Sequence, residues 1–316
     1  MKIPFRTVPF VLLLVPVCAL GQADPQINGQ PASELAKKLA GKDAGGRKEA
    51  AKMLRDASPS AKGVVPALTK ALKDEEIEVR RNAAFALGRI GPDAKGAADG
   101  LGKLLADDDF GVRFTAALSL GKIGPGAKSA AEALEKALRD IDPRVIVKAA
   151  EALIRVDPSK KPAAVSALRE VLKEKSADTK PRFEAAIALG RNVPEDAKEA
   201  LESLKEAMQA TDEYIRVQAA EALARVDPEM KSKAVEALKK VMNDDDEPDR
   251  LRVDAAAALA AVDPSSAKKA VALLQMLAKT GMESVKSAAI EALRGIDPNA
   301  KLPGEPAKKV EPKKKP

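Results

Sequence analysis

The chain is expected to be all-α, a right-handed α-solenoid of about eight stacked helix pairs, and three observations lead there. Eight times a leucine is followed five residues later by a proline: Leu54/Pro59, Leu87/Pro92, Leu120/Pro125, Leu153/Pro158, Leu189/Pro194, Leu223/Pro228, Leu259/Pro264 and Leu293/Pro298. These leucines stand 33, 33, 33, 36, 34, 36 and 34 residues apart, a period at which self-similarity marks a solenoid. Aromatic residues make up 2% of the chain, with no Trp and no His, while 32% is charged. So few bulky side chains cannot fill a compact core, whereas Ala-rich, Leu-studded sequence suits thin layers of paired helices. Finally, the apolar residues before each leucine fall at helical spacing, as in Val79, Ala83, Ala86, Leu87 and Ile90 of the second unit.

The first segment is separate from the array. Lys2 and Arg6 precede an apolar run from Val8 to Leu20, and Ala19-Leu20-Gly21 offers small residues for a signal peptidase. Residues 1–21 are therefore expected to be a secretory signal, with cleavage after Gly21 or Ala23, in a run too short to span a bilayer comfortably. Cys18 raises lipoprotein anchoring, which Val17 in place of a small lipobox residue argues against. Once cleaved, the chain would hold no cysteine and no transmembrane helix, so helix stacking alone would stabilise it in an oxidising compartment.

Residues 22–31 are expected to be a linker, 32–298 the solenoid and 299–316 a disordered Pro/Lys-rich basic tail. The 54 basic residues include Lys2, Arg6 and six tail lysines, the tail holding only Glu305 and Glu311 in return, so 22–298 is within one charge of neutral. The basic balance belongs to the tail and gives no reason to expect specific nucleic-acid binding by the body. The protein is expected to be exported, whether periplasmic, in the cell envelope or secreted. Weak contact of the tail with anionic envelope polymers is also expected.

Within the array, first helices are predicted over 32–40, 60–73, 93–106, 126–139, 159–174, 195–209, 229–242 and 265–279, each followed by a second helix ending near the repeat leucine. In the second unit Asp74 and the acids after it open the second helix, Gly91 can end it, and Pro92 starts the next. Asp157, Asp227, Asp263 and Asp297 precede four of the prolines and are predicted to be side-chain caps. Longer loops at 174–180 and 243–250 are expected to perturb the stack and divide it into units 1–4, 5–6 and 7–8.

The run VRRNAAFALGRIGPDAK and its echo VRFTAALSLGKIGPGAK at 112–128 resemble HEAT-like repeats of the short type found in bilin-lyase subunits and bacterial scaffold proteins. The resemblance covers about residues 32–298. It implies that second helices line a concave face and that an acid in the loop and an Arg early in the second helix form a ladder between neighbours. The Arg position is filled by Arg47, Arg80, Arg113, Arg182, Arg216, Arg252 and, conservatively, Lys286, with Ile146 breaking the series.

Outward positions of the second helices lie six and two residues before the repeat leucine and two after it. Phe85, Phe114, Leu118, Val147, Phe183, Ile187 and Val217 occupy the first two where a solvated helix would be polar. They are expected either to floor an apolar groove for a protein or peptide partner, or to be buried between repeats by solenoid curvature. Arg89, Lys122, Arg155, Arg191 and Arg225 place a cation two after the leucine in five consecutive units. Such a row could guide an acidic partner, or it could complement helix dipoles, with Glu151/Arg155 and Glu221/Arg225 as pairs along one helix.

Enzyme chemistry has little to build on. There is no His, no cysteine in the mature chain, no phosphate loop and no nucleophile elbow, so no catalytic, cofactor or metal residue is expected. The acidic clusters Asp107–Asp109 and Asp244–Glu247 lack calcium-loop spacing and are expected to be solvated helix-start acids. The expected function is an exported, non-enzymatic scaffold binding a partner on its concave face. An envelope-associated structural protein attached through its tail, or an accessory or lyase-like subunit of an enzyme, are the alternatives.

Overall fold

The computed structural model describes residues 24–297 except 28, 56–58 and 175–177; the expected signal 1–21 and tail 299–316 lie outside the described residues. The array is a right-handed α-solenoid of eight helix pairs. These are α1 Ala32–Leu39 with α2 Ala44–Leu54, α3 Val65–Ala71 with α4 Ile77–Ile90, α5 Ala98–Leu104 with α6 Phe110–Ile123, and α7 Ala131–Ala137 with α8 Pro143–Val156. The second half continues with α9 Lys161–Lys173 and α10 Lys180–Asn192, α11 Leu201–Ala207 and α12 Glu213–Val226, α13 Lys231–Asn243 and α14 Asp249–Val262, and α15 Ala267–Thr280 and α16 Glu283–Ile296.

The stretch expected to be a linker is partly folded. Gln26–Ile27 (β1) pairs antiparallel with Gln30–Pro31 (β2), Ile27 is buried, and the Asp24 carboxylate accepts from the Ser33 amide and hydroxyl at the start of α1. First helices of units two to six begin as 3-10 turns, for instance Gly91–Ala97 before α5. Proline fits that tight first turn because its missing N–H would have no partner there.

Two devices stop the second helices. Gly91 and Gly124 take the left-handed backbone at φ 73° and 70°, a region other residues disfavour. Elsewhere an aspartate takes over: Asp157 accepts from the Ser159 amide and hydroxyl, Asp227 from the Glu229 amide, and Asp263 from the Ser265 amide and hydroxyl and the Ser266 hydroxyl.

All eight repeat leucines are buried, none more than 1% exposed. Second helices pack on one another more extensively than first helices do, which sets them on the inner side of the curve. Glycine makes this possible in three units. A Cβ on Gly88 would lie 2.9 Å from the Ser119 Cα, one on Gly121 3.2 Å from the Ala152 Cα, and one on Gly190 2.9 Å from the Ala222 Cβ. In unit four the same position holds Ile154, half-buried, and α8 packs on α10 much more thinly than α6 on α8. The break expected at loop 174–180 is therefore a thinning between second helices. The buried core runs unbroken past it, from Ile27 to Leu223. A second core, from Val217 to Leu293, begins in α12, so the true division falls at units six and seven. A cleft of about 290 Å³ lies there, lined by Met208, Arg216, Val217, Leu238, Val241 and Asp244 among others.

Candidate protein-interaction face

Arginine rungs hold the first four units in register. Arg47 donates to both oxygens of Asp74 at 2.7 and 3.1 Å, Arg80 to both of Asp107 at 2.7 and 3.0 Å, and Arg113 to both of Asp140 at 2.7 and 3.0 Å. Each guanidinium also donates to carbonyls of its own loop, as Arg80 does to those of Asp74 and Glu75. The acceptor is fixed in turn by a backbone amide two residues on, from Glu76, Asp109 or Asp142. Burial works against ionisation of Asp74, but the Arg47 guanidinium and the Glu76 amide hold its carboxyl below the usual carboxylate range.

The ladder ends at Ile146 and does not resume, although the arginines do. Arg182 pairs with Glu206 at 2.6 Å, Arg216 with the carbonyls of Ala210 and Thr211 and with Glu213, and Arg252 with Asp245 and Asp249 of its own loop. The missing part is the acid. The rung aspartates Asp74, Asp107 and Asp140 stand six residues before Arg80, Arg113 and Ile146; the same place before Arg216 holds Ala210, whereas before Arg252 it holds Asp246. Consistently, the buried Arg182 Nε has no hydrogen-bond partner. Reading the arginines alone missed this; the second half of the motif was present in the sequence.

The apolar face divides at the same point. Phe85, Phe114 and Leu118 are half-buried on the side of α4 and α6 opposite the buried stripe. Because Gly88 meets Ser119, the register sets Phe85 opposite the gap between Phe114 and Leu118, and Arg81 reaches across to Gly111. From unit four on, the expectation of a groove floor is corrected. Phe183 is 9% exposed and Ile187 2%, and with Val147 they belong to the first core, as Val217 belongs to the second. Neighbouring helices cover these side chains.

The row of cations is likewise not uniform. Arg191 donates to Glu221 at 2.5 and 2.9 Å, and Arg225 holds the other oxygen of the same carboxylate at 2.8 Å. These two guanidinium groups share the single Glu221 carboxylate and are held within the protein. The expected Glu151/Arg155 pair is absent among the described residues, because Lys148 takes Glu151 at 3.0 Å while lying 3.2 Å from Glu184 in the next unit. Burial disfavours the Lys148 charge, yet the two carboxylates raise its pKa. Burial pushes the carboxyl of Asp254 up, against the opposing pull of Arg250 at 3.4 Å and of the Arg191 charge.

What remains is a compact face centred on units two and three and reaching Arg155 of unit four. Its centre is Phe85, Phe114 and Leu118, and around it stand Arg81, Lys122 and Arg155, none of which makes an ion pair among the described residues. Arg89 lies at its rim.

The acid clusters do other work. Asp107 is a rung, Asp109 caps the Val112 amide at 2.9 Å, and Asp244 accepts from the Asp246 amide at 3.1 Å. Among the described residues no group of His, Cys, Asp and Glu is placed to hold a metal ion, and no helix is long and apolar enough to cross a membrane.

The profile of HEAT repeats matches residues 32–113, 65–154, 98–190 and 165–260. Among solved structures, the complex of CpcE and CpcF of phycocyanin lyase from Nostoc sp. PCC7120 is similar at 21% identity, over 87% of this chain and 97% of that one, with a TM-score of 0.54. At that identity the likeness is one of fold. An engineered protein is 28% identical over 83% of this chain and 77% of its own, with a TM-score of 0.42. A chain of the full-length AP-3 complex is 16% identical over 84% and 50%, with a TM-score of 0.49. No curated protein matches the chain in sequence.

Proposed function

The chain belongs to the HEAT-repeat family, and from that premise we propose that it is a non-enzymatic protein-interaction subunit that holds a protein or peptide against the inner face of units two and three. The single observation that carries this is the face itself. Half-buried Phe85, Phe114 and Leu118 are surrounded by Arg81, Lys122 and Arg155 without an ion pair among the described residues, while in units five and six the equivalent apolar side chains Phe183, Ile187 and Val217 are buried and the cations Arg191 and Arg225 pair with Glu221. An acidic segment with apolar side chains fits such a surface: the apolar centre supplies affinity and the cations steer the approach.

Between a free-standing scaffold and an accessory subunit, the accessory form has the better support. A neighbour matched over 97% of its own length is a chain from the complex of CpcE and CpcF of phycocyanin lyase. In this reading the solenoid positions a second protein and contributes no catalytic group of its own. Export through residues 1–21, and weak attachment of the 299–316 tail to anionic envelope polymers, complete the proposal and rest on the sequence.

A photo-crosslinking residue placed at Phe114, in the organism that makes the protein, tests the face. The expected result is one dominant adduct, abolished when Arg81, Lys122 and Arg155 are all changed to Gln. Adducts that persist in the triple variant would contradict it. N-terminal sequencing of the mature protein starting at Gln22 or Asp24 supports export, and an intact Met1 refutes it. If deleting 299–316 leaves envelope association unchanged, the tail is not an anchor.

A further inference from the structure

The loops joining each first helix to its second form one edge of the stack. Six large apolar side chains stand out as exposed among the described residues, and five of them fall on this edge: Ile77 at 45%, Phe110 at 45%, Ile141 at 94%, Tyr214 at 39% and Met282 at 76%. Each sits within two residues of the start of its second helix. Ile77, Phe110 and Ile141 occupy consecutive units, so they make a continuous apolar row about 10 Å between steps. Ile77 and Phe110 occupy one site, ten residues before the repeat leucine, and Ile141 stands two residues earlier in its unit; exposed large apolar side chains scattered singly need no explanation, but a row along one edge does.

Carboxylates flank the row. Beneath it Asp74, Asp107 and Asp140 are neutralised by the rungs, while Asp108 and Glu78 stand exposed without an ion pair among the described residues. Glu75, whose side chain is 80% exposed, keeps one contact to Arg47. Lys73, Arg139 and Arg81, which lies against Gly111 beside Phe110, are exposed cations nearby. The chain also displays what the row accepts: Arg144 of unit four lies 4.4 Å from the centre of the Phe110 ring and pairs with Asp142 at 2.6 Å. An arginine is thus held between an aromatic face and a carboxylate at the middle of the row.

We propose that this edge is a second docking surface, separate from the inner face, and that its occupant is an extended protein segment in which arginines alternate with apolar residues. The apolar side chains would seat on Ile77, Phe110 and Ile141, and the guanidinium groups would reach Asp108, Glu75 and Glu78 in the geometry Arg144 already shows. The two surfaces then select different partners, the edge through its free carboxylates and the inner face through its unpaired cations. The proposal does not depend on the inner face being used.

The experiment uses the full chain and two synthetic probes of equal length, one alternating Arg and Leu and one alternating Glu and Leu, read by fluorescence anisotropy at two salt concentrations. The Arg/Leu probe is expected to bind, and Phe110→Ser and Ile141→Ser each to weaken it about fivefold or more while leaving every charge in place. Both positions are exposed, and a melting profile matching the unaltered protein confirms that the variants fold. Binding of the Glu/Leu probe is expected to be unchanged by either variant and lost with Arg81, Lys122 and Arg155 changed to Gln, so the two surfaces fail separately. Equal binding of the Arg/Leu probe to the serine variants, or no binding at all, overturns the proposal. A dimer in sedimentation that Ile141→Ser dissolves would also overturn it, by assigning the row to a second copy of the chain.

Discussion

The first four units and the last four are built from the same repeat but are held together differently. In units one to four each junction is spanned by an arginine bound through two hydrogen bonds to a fixed aspartate, and Arg81, Lys122 and Arg155 of the inner face make no ion pair among the described residues. Beyond unit four Ala210 stands in place of the rung aspartate, and the inner face itself carries bridging charges, Lys148 of unit four to Glu184 and Arg191 to Glu221. A surface whose charges are satisfied within the molecule has little left for a partner. Locating the inter-repeat electrostatics on the loop edge keeps the inner face available; locating it on the inner face consumes that face.

The largest effect should come from the close helix approaches. Gly88→Leu forces a side chain into the Ser119 backbone and should destabilise by about 3 kcal/mol in urea unfolding. Gly295→Leu in the last unit, where nothing lies within 4 Å, should be nearly neutral. A comparable loss at Gly295 would break the distinction between latched and loose units. Arg80→Ala, which strands Asp107 in a part-buried site, should cost about 3 kcal/mol. Arg216→Ala, which loses loop carbonyls and a half-exposed Glu213, should cost about 1 kcal/mol.

Restoring the missing acid sharpens the comparison. Ala210→Asp offers Arg182 the acceptor that its buried Nε lacks and should stabilise by about 1 kcal/mol, with the gain removed by Arg182→Gln.

The smallest effect concerns pH. Asp254 has a folded-state pKa raised by burial, so its charged form costs stability above the unfolded carboxylate value of about 3.9. Asp254→Asn should therefore stabilise by about 0.5 kcal/mol at neutral pH, and the gain should vanish below that value. Asp74, whose pKa is lowered, has the opposite sign: its stabilisation is present above the unfolded pKa and disappears as pH falls through the folded one. Urea titrations at pH 7 and pH 3 separate the two.

Most of the scaffold was legible in the sequence. The Leu-to-Pro interval located every helix pair, and the aspartates before Pro158, Pro228 and Pro264 cap as their positions imply. The 3-10 lead-ins were not legible, because the helical periodicity of a first turn is the same in either geometry over so few residues. Burial of Phe183 and Ile187 was not legible either, since it depends on how adjacent second helices tilt. Ile154 marks where the packing thins, but its meaning appears only once Gly88 and Gly121 are seen to meet the next helix. The edge row of Ile77, Phe110 and Ile141 escaped notice because those residues precede the periodic stripe and look like the start of a helix rather than a surface.

The central claim, that the protein meets its partner on units two and three, is tested most directly by hydrogen exchange of the intact chain with and without the Glu/Leu probe. Slowed exchange confined to α4, α6 and the end of α8 is the predicted result. Slowed exchange in α10 to α14 instead, with α4 and α6 unchanged, would contradict it.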